Sequence, residues 1–396
     1  MDDLGQRVVA AIDAARDELI ETSRTLHANP EVAFAEHNSA ALLCALLERH
    51  GYSVRRGVGG LPTAFRAELP ERRAGPTVAF LCEYDALPEI GHACGHNLIA
   101  AAGVGAGIGI AAVAAELPGR VLVIGTPAEE GGSGKKILLE AGVFADVDAA
   151  MMFHPASYTL PERPSLASWR LRVAYHGRAS HAAAAPEEGV NALDALIQLF
   201  VSIGLLRQQL RDDARIHGIV TYGGAAPNVI PDRAEASFSV RAADDGYASE
   251  CLSRVIACAE GAARATGARL ETEAQKGYAA MRSNGPLAGR FAEHLASLGV
   301  PIDPAPQRVR MGSTDMGDVS QALPAIHPYV SISTDAIGGH TVEFREAAIS
   351  DLGQERMIAA AKAMALTAAD VLTDRAFFAE VRRAYTDGAA AAASAG

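Results

Sequence analysis

Three short segments carry the side chains most able to do chemistry. In Gly91-His-Ala-Cys-Gly-His-Asn97 the thiol of Cys94 sits two residues from the imidazoles of His92 and His96. Thiolate and imidazole suit zinc and its neighbours, and loop residues at i, i+2 spacing can point at one ion without helical geometry. In Thr126-Pro-Ala-Glu-Glu-Gly-Gly132 two carboxylates, Glu129 and Glu130, stand side by side. Adjacent acids are costly to bring together away from water unless a cation is present. With one, their roles divide: one glutamate binds metal while its neighbour takes and returns protons. The third segment, Met151-Met-Phe-His-Pro155, delivers His154. Taken singly, each has an ordinary structural explanation: a buried cysteine with satisfied histidines, a solvated acidic turn, a lone structural histidine.

The elements that must position these residues change the balance. Thr77–Cys82, Val121–Ile124 and Ala149–Phe153 are short apolar runs of the kind found in buried parallel strands. Helical patterns lie between them, near His96 and over Gly134–Ala141, so a mostly parallel sheet covered on both faces is predicted. Each run leads directly into one of the three segments, and open α/β sheets place their sites at that edge. Three structural coincidences would have to hold together to explain this without a site, so a metal centre is the preferred reading.

A helix is predicted from about Leu4 to Leu26, another from Asn38 to Arg49, and strands at Ser53–Arg56 and Thr63–Glu68. After Pro164 the order becomes strand, helix, strand, strand, helix, strand, ending near Glu273, the split βαβ pattern of a ferredoxin-like insertion. A long helix over about Asp351–Leu372 follows, and the alanine-rich end from Gly388 is expected to fray.

The chain has 396 residues and a formal charge of −12, with no basic block. Nucleic-acid and anionic-membrane partners are therefore excluded. Leu98–Val113, the longest apolar stretch, is shorter than the roughly 20 residues a bilayer span needs, and Met1–Arg16 lacks a signal core. Five scattered cysteines in a chain of this size predict a reduced, cytoplasmic protein.

Further motifs join the three segments: Asp85-Ala-Leu-Pro88, Gly177 to His181 followed by Gly189-Val-Asn-Ala192, Asn228-Val-Ile-Pro-Asp232, Gly312-Ser-Thr-Asp315 and Gly339-His340. Together they resemble, over nearly the whole chain, the aminoacylase and glutamate-carboxypeptidase family of dimetal amidohydrolases. The branch is that of p-aminobenzoyl-glutamate hydrolase, indoleacetyl-amino-acid hydrolases and β-alanyl-lysine dipeptidase-like proteins. The resemblance implies a catalytic domain over 1–165 and 282–396 with an inserted dimerisation or lid domain over 166–281. It implies two divalent ions, zinc or manganese, with cobalt or nickel also compatible. Cys94 would bridge them, Glu130 and His340 completing one shell and His96 and His154 the other, with Glu129 as general base. By the same resemblance His181 steadies the oxyanion, reaching across a homodimer, and Asn228 holds substrate. The expected substrate is small: an N-acyl amino acid, an aminobenzoyl-glutamate-like compound or a dipeptide. Asn97 and Thr314 depart from the acids common at those positions and bear on the substrate more than on the chemistry.

Two alternatives stay open. Ser133-x-x-Lys136 has the nucleophile spacing of serine amidases, without their companion elements. A catalytically silent metal-dependent binding protein would keep the ligands, although pure binding needs no free base beside Glu130. The glycine-rich Gly103–Gly109 and Gly131–Lys136 lack the spacing of nucleotide or phosphate loops.

Overall fold

A computed structural model describes residues 1–70, 73–304 and 311–395, without the side chains of 391–395. The chain divides into two compact units, Met1–Pro164 with Met281–Arg310 and Asp318–Ala391, and Ser165–Ala280 with Met311–Gly317 and the final residues Ala392–Gly396.

In chain order the first unit begins with α1 (Asp3–Ala14), α2 (Arg16–Ala28), α3 (His37–Arg49), β1 (Ser53–Arg56), β2 (Phe65–Glu68) and β3 (Thr77–Cys82). It continues with α4 (His96–Ala111), β4 (Arg120–Gly125), α5 (Glu129–Gly132), α6 (Gly134–Glu140), β5 (Ala149–Met151) and β6 (His154–Ala156). The second unit supplies β7 (Ala167–His176), α7 (Ala192–Leu206), β8 (Arg215–Tyr222), β9 (Arg233–Ala242), α8 (Asp245–Thr266) and β10 (Arg269–Lys276). Then follow α9 (Gly285–Ser297), α10 (Met316–Ala322), β11 (Ala325–Ile326), β12 (Tyr329–Ser331), α11 (Val342–Ala347), α12 (Asp351–Thr373) and α13 (Arg375–Ala395).

The main sheet runs β1-β2-β4-β3-β5-β11. The pairs β3/β4, β3/β5 and β5/β11 are parallel, and the β1-β2-β4 edge is antiparallel. The mixed, mostly parallel sheet flanked by helices is thus present. Every residue of β3 is buried, and all but the first of β4, as a strand covered on both faces requires. Helix α4 is the central cover, buried from His96 to Ile110. Its alternate glycines explain how it fits: a Cβ on Gly103 would lie 2.5 Å from Cys82 Sγ, and one on Gly109 2.7 Å from Ile12 Cδ1. Small residues let this helix nest between the sheet and α1, which is the packing role and not a nucleotide loop.

The second unit has the ferredoxin-like order β10-β7-β9-β8, antiparallel throughout. Strand β9 alternates buried and less buried residues, so Ala234, Ala236, Phe238 and Val240 face a core shared with Leu196, Leu199 and Val255 of α7 and α8.

Two expectations are corrected locally. The first long helix is two, α1 and α2, parted at Ala15, whose backbone (φ −91, ψ 3) leaves helical geometry. The alanine-rich end does not leave the helix at Gly388: α13 continues to Ala395, in keeping with alanine's high helix propensity. Packing of α4 yields a test. Gly103→Val should destabilise the protein by about 1–3 kcal/mol through overpacking against β3; an unchanged urea midpoint would show that α4 does not rest on Cys82.

Candidate metal and catalytic site

The parallel strands end at one sheet edge, and the sequence-singled residues follow those ends. After β3 the chain passes through Glu83 and Asp85 to Cys94 and His96; after β4 it enters α5 with Glu129 and Glu130; after β5 it reaches His154. His340 arrives from the turn before α11, its backbone N–H donating to Ala93 O at 2.9 Å.

Donor atoms of Cys94, His96 and His154 lie within 4.8 Å of one another, and so do those of Cys94, Glu130 and His340. Cys94 therefore belongs to both sets. His96, Glu129 and Glu130 form a third group by the same measure. Gly95 makes the approach possible. It adopts φ +77 between Cys94 and His96, and a Cβ there would meet Pro155 Cγ at 2.5 Å.

Contacts behind these residues set which atoms face the cluster. His154 Nδ1 lies 2.7 Å from the Pro155 carbonyl and donates to it, turning Nε2 toward Cys94 Sγ at 3.5 Å. The His154 ring stacks on Tyr329 at 4.8 Å between centroids, and the Arg163 guanidinium covers the Tyr329 ring at 4.0 Å. His96 Nδ1 contacts Asp85, 2.9 Å from its carbonyl and 3.2 Å from Oδ1, leaving Nε2 inward. The other oxygen of Asp85 accepts the Glu130 backbone N–H at 2.9 Å. One carboxylate thus orients two neighbours at the starts of different helices, α4 and α5.

Asp85 was quoted as part of a motif but not assigned a role by sequence reasoning. Glu83 and Lys135 were missed. Both are buried and ion-paired with each other, and Glu83 Oε2 lies 3.4 Å from His96 Nε2. Nothing in a lone Glu83 and a lone Lys135, far apart in sequence, signals this pairing. His327 is buried and packs its ring edge-on to His154 at 5.2 Å. His92 is buried as well, its ring 6.2 Å from that of His27.

Burial would lower the pKa of His96, but Glu83 and Asp85 outweigh it and hold the value well above the ordinary one. Burial, against which His96 pulls only partly, keeps the Cys94 thiol far above its usual range. Glu130 is desolvated too, yet His340, with Nε2 at 3.3 Å, and His96 bring it below the usual carboxylate value. His154 goes the other way: burial first, then the His96 charge, press it down to about 3.

His181 and Asn228 belong to the second unit, where they are neighbours: Ala182 N donates to Asn228 O at 3.1 Å. The exposed His181 ring takes Ala183 and Ala184 N–H on Nδ1, at 3.3 and 3.2 Å. Its proton therefore sits on Nε2, which faces outward as a donor. Ser133 occupies the left-handed turn (φ +55) between α5 and α6.

Sequence comparison decides the family, since the pattern of peptidase family M20/M25/M40 matches residues 79–355. The chain belongs to that family. It is 41% identical over 397 residues to Xaa-Arg dipeptidase of Mus musculus, spanning 96% of this chain and 92% of the relative. It is 29% identical over 454 residues to a polypeptide of the p-aminobenzoyl-glutamate hydrolase of Escherichia coli (strain K12), spanning 95% and 93%. A Bacillus subtilis structure described as a dinuclear metal binding peptidase from the M20 family shares the fold, with TM-score 0.73 and 24% identity over 91% of this chain and 99% of that one. This M20-family chain is a peptidase-type hydrolase acting on amide bonds.

The buried histidines fix a pH dependence for the metal-free chain. His92 and His154 titrate near about 3 when folded, against an ordinary 6.5, and His327 lies well below it, all chiefly through burial. Below pH 6.5 the unfolded chain takes up protons that the folded chain refuses, so stability is lost as pH falls. His96, raised instead, is protonated when folded, and its stabilising contribution levels off as the unfolded ring also protonates below pH 6.5. Urea unfolding between pH 6.5 and 5 should show stability falling by about 1.4 kcal/mol per pH unit for each depressed histidine; a flat profile would mean that these rings open to solvent.

Proposed function

We propose that this M20-family chain is a two-metal dipeptidase or N-acyl amino acid amidohydrolase. In this reading Cys94 joins two divalent cations, His96 and His154 hold one, Glu130 and His340 the other, and Glu129 is the general base. The observation that carries it is the membership of Cys94 Sγ in two donor sets at once.

The donors fit such ions. His96 Nε2 and Glu130 Oε1 are buried atoms that make no well-formed hydrogen bond; Glu83 Oε2 at 3.4 Å and His340 Nε2 at 3.3 Å are the charged groups that approach them. His154 is neutral, with Nε2 already turned inward, and Cys94, its pKa raised by desolvation, becomes a thiolate only if a cation displaces its proton. Thiolate, imidazole and carboxylate together suit zinc or manganese, and accommodate cobalt or nickel. Bound there, the cations would supply Lewis acidity and a water acidified toward ~7.

The chain's own groups do the rest. Glu129, next to Glu130, takes the proton from the attacking water and returns it to the departing amine. The His181 Nε2–H is a donor for the oxyanion, and the Asn228 amide for the substrate. The mouse relative's name, Xaa-Arg dipeptidase, and the bacterial relative's, p-aminobenzoyl-glutamate hydrolase, favour a small substrate with a free amino acid as its leaving part.

A homodimer through the second unit belongs to the same proposal. Ile197, Val201 and Leu205 form an exposed stripe at four-residue spacing on α7, and the edge strand β8 exposes Ile219 and Val220. A cytoplasmic location is proposed on the five free cysteines; no helix among the described residues is long and apolar enough to cross a membrane.

Glu129→Gln should reduce kcat on dipeptides by about 10²–10⁴-fold while metal content per chain is unchanged. Activity that survives chelation and disappears in Ser133→Ala would replace this reading with the serine alternative. Val201→Asp with Leu205→Asp should convert a dimer to a monomer in light scattering, with loss of turnover; an unaltered mass would move the interface elsewhere.

A further inference from the structure

We propose that Glu36 is a positioning residue, a buried clamp that fixes both ends of the turn carrying Glu129 and Glu130. The inference rests on the roles given to those glutamates above.

Glu36 follows the Val32–Ala35 loop and directly precedes α3, far in sequence from every residue of the site. Its relative exposure is 0%. Oε1 accepts two backbone amides, Phe34 N at 2.9 Å and Ala128 N at 2.9 Å, and Oε2 accepts the Thr63 hydroxyl at 2.9 Å. One carboxylate therefore ties together the loop before α3, the approach to β2 and the exit of β4. A buried acid held by three donors from three parts of the chain is a strong constraint on all of them.

The two amides it holds are not ordinary ones. Phe34 and Ala128 are both non-glycine residues in the left-handed region, at φ +64 and φ +61. Such residues persist only where the surroundings over-determine them. Ala128 is the residue before α5, so its conformation sets the direction in which Glu129 and Glu130 leave the strand. Phe34 reaches the other end of the same turn. Its ring lies against Gly132, where an added Cβ would come within 2.3 Å of Phe34 Cε2. Glu36 thus grips the first residue of the turn by a hydrogen bond and the last through the Phe34 ring. Inside that grip Gly132 N donates to Ala128 O at 3.0 Å, closing the turn on itself. The acid pair is held in place by a group that belongs to none of the donor sets around Cys94 and His96.

The side chain's length and acceptor geometry do this, which separates the possible replacements. Glu36→Gln keeps an oxygen for both amides, and the Thr63 hydroxyl can turn to accept from the new amide nitrogen. Glu36→Asp keeps a carboxylate but is too short to span both amides. Glu36→Ala removes the clamp.

The test uses the full-length, metal-loaded enzyme with these three variants and Glu129→Gln as a control. It reads amide hydrogen exchange in peptides covering 33–36 and 126–134, metal affinity by competition with a chromophoric chelator, and kcat and KM on a dipeptide. Glu36→Asp and Glu36→Ala should speed exchange at both peptides, weaken metal binding and lower kcat about tenfold or more with less change in KM, and Glu36→Gln should restore all three. If Glu36→Ala does not fold, Glu36→Asp carries the comparison. Unchanged exchange at 126–134 in Glu36→Asp would overturn the proposal, as would a lowered melting temperature with metal affinity and kcat of the folded enzyme intact. A fully active Glu129→Gln alongside altered exchange and metal affinity in Glu36→Asp would remove Glu129 as the base and leave the clamp standing.

Discussion

Glu83, Asp85 and His96 are buried at one edge of the mixed sheet, with Cys94 and Glu130 partly exposed beside them. Acidic and ligand groups do not gather away from water without positive charge, because desolvation of each anion outweighs anything that neutral packing returns. Within the described part of the cluster the buried cationic side chain is Lys135, already ion-paired with Glu83. His96 responds by holding a proton far above its ordinary range. The proton on His96 thus answers the two carboxylates that flank it, Glu83 and Asp85.

Backbone geometry follows from the same demand. The turns that deliver the acidic pair, the Cys94/His96 segment and His340 all pass through the left-handed region, at Ala128, Gly95 and His340. Only Gly95 enters it freely; each of the others costs roughly 1–2 kcal/mol. Compensation is visible at each one. Ala93 O holds the His340 amide, and Glu36 holds that of Ala128. For Ala128 the strand β4 ends just before the turn, so the sheet itself carries the strained residue.

Much of this was legible in the sequence, for a physical reason. Buried parallel strands are continuous apolar runs, and side chains at their exits are sequence neighbours of those runs, so Cys94, His96, Glu129, Glu130 and His154 announced themselves by position. His340 has no such strand before it, and only the family resemblance singled it out. The supporting layer was opaque because its contacts join residues with no local pattern: Asp85 to both His96 and Glu130, Glu83 to Lys135, Glu36 to Ala128. The long first helix was misread because a single kink at Ala15 leaves the apolar spacing on either side intact. The insertion was legible because one-faced antiparallel strands alternate visibly, as β9 does.

Lys135 shows how that opaque layer bears on the chemistry. Glu83 stands close enough to His96 Nε2, at 3.4 Å, to compete for the atom that the proposed reading turns toward a cation. Its first oxygen is engaged by the Lys135 ammonium, so part of its charge is neutralised before it reaches the site. Asp85, by contrast, approaches His96 from the Nδ1 side, where a carboxylate strengthens the ring as a donor without obstructing Nε2. Both acids raise the basicity of this one imidazole, Glu83 from in front and Asp85 from behind. They differ in position: the one behind fixes the ring through Nδ1, and the one in front is drawn partly aside by a buried lysine, so that Nε2 faces inward, where a cation would displace its proton.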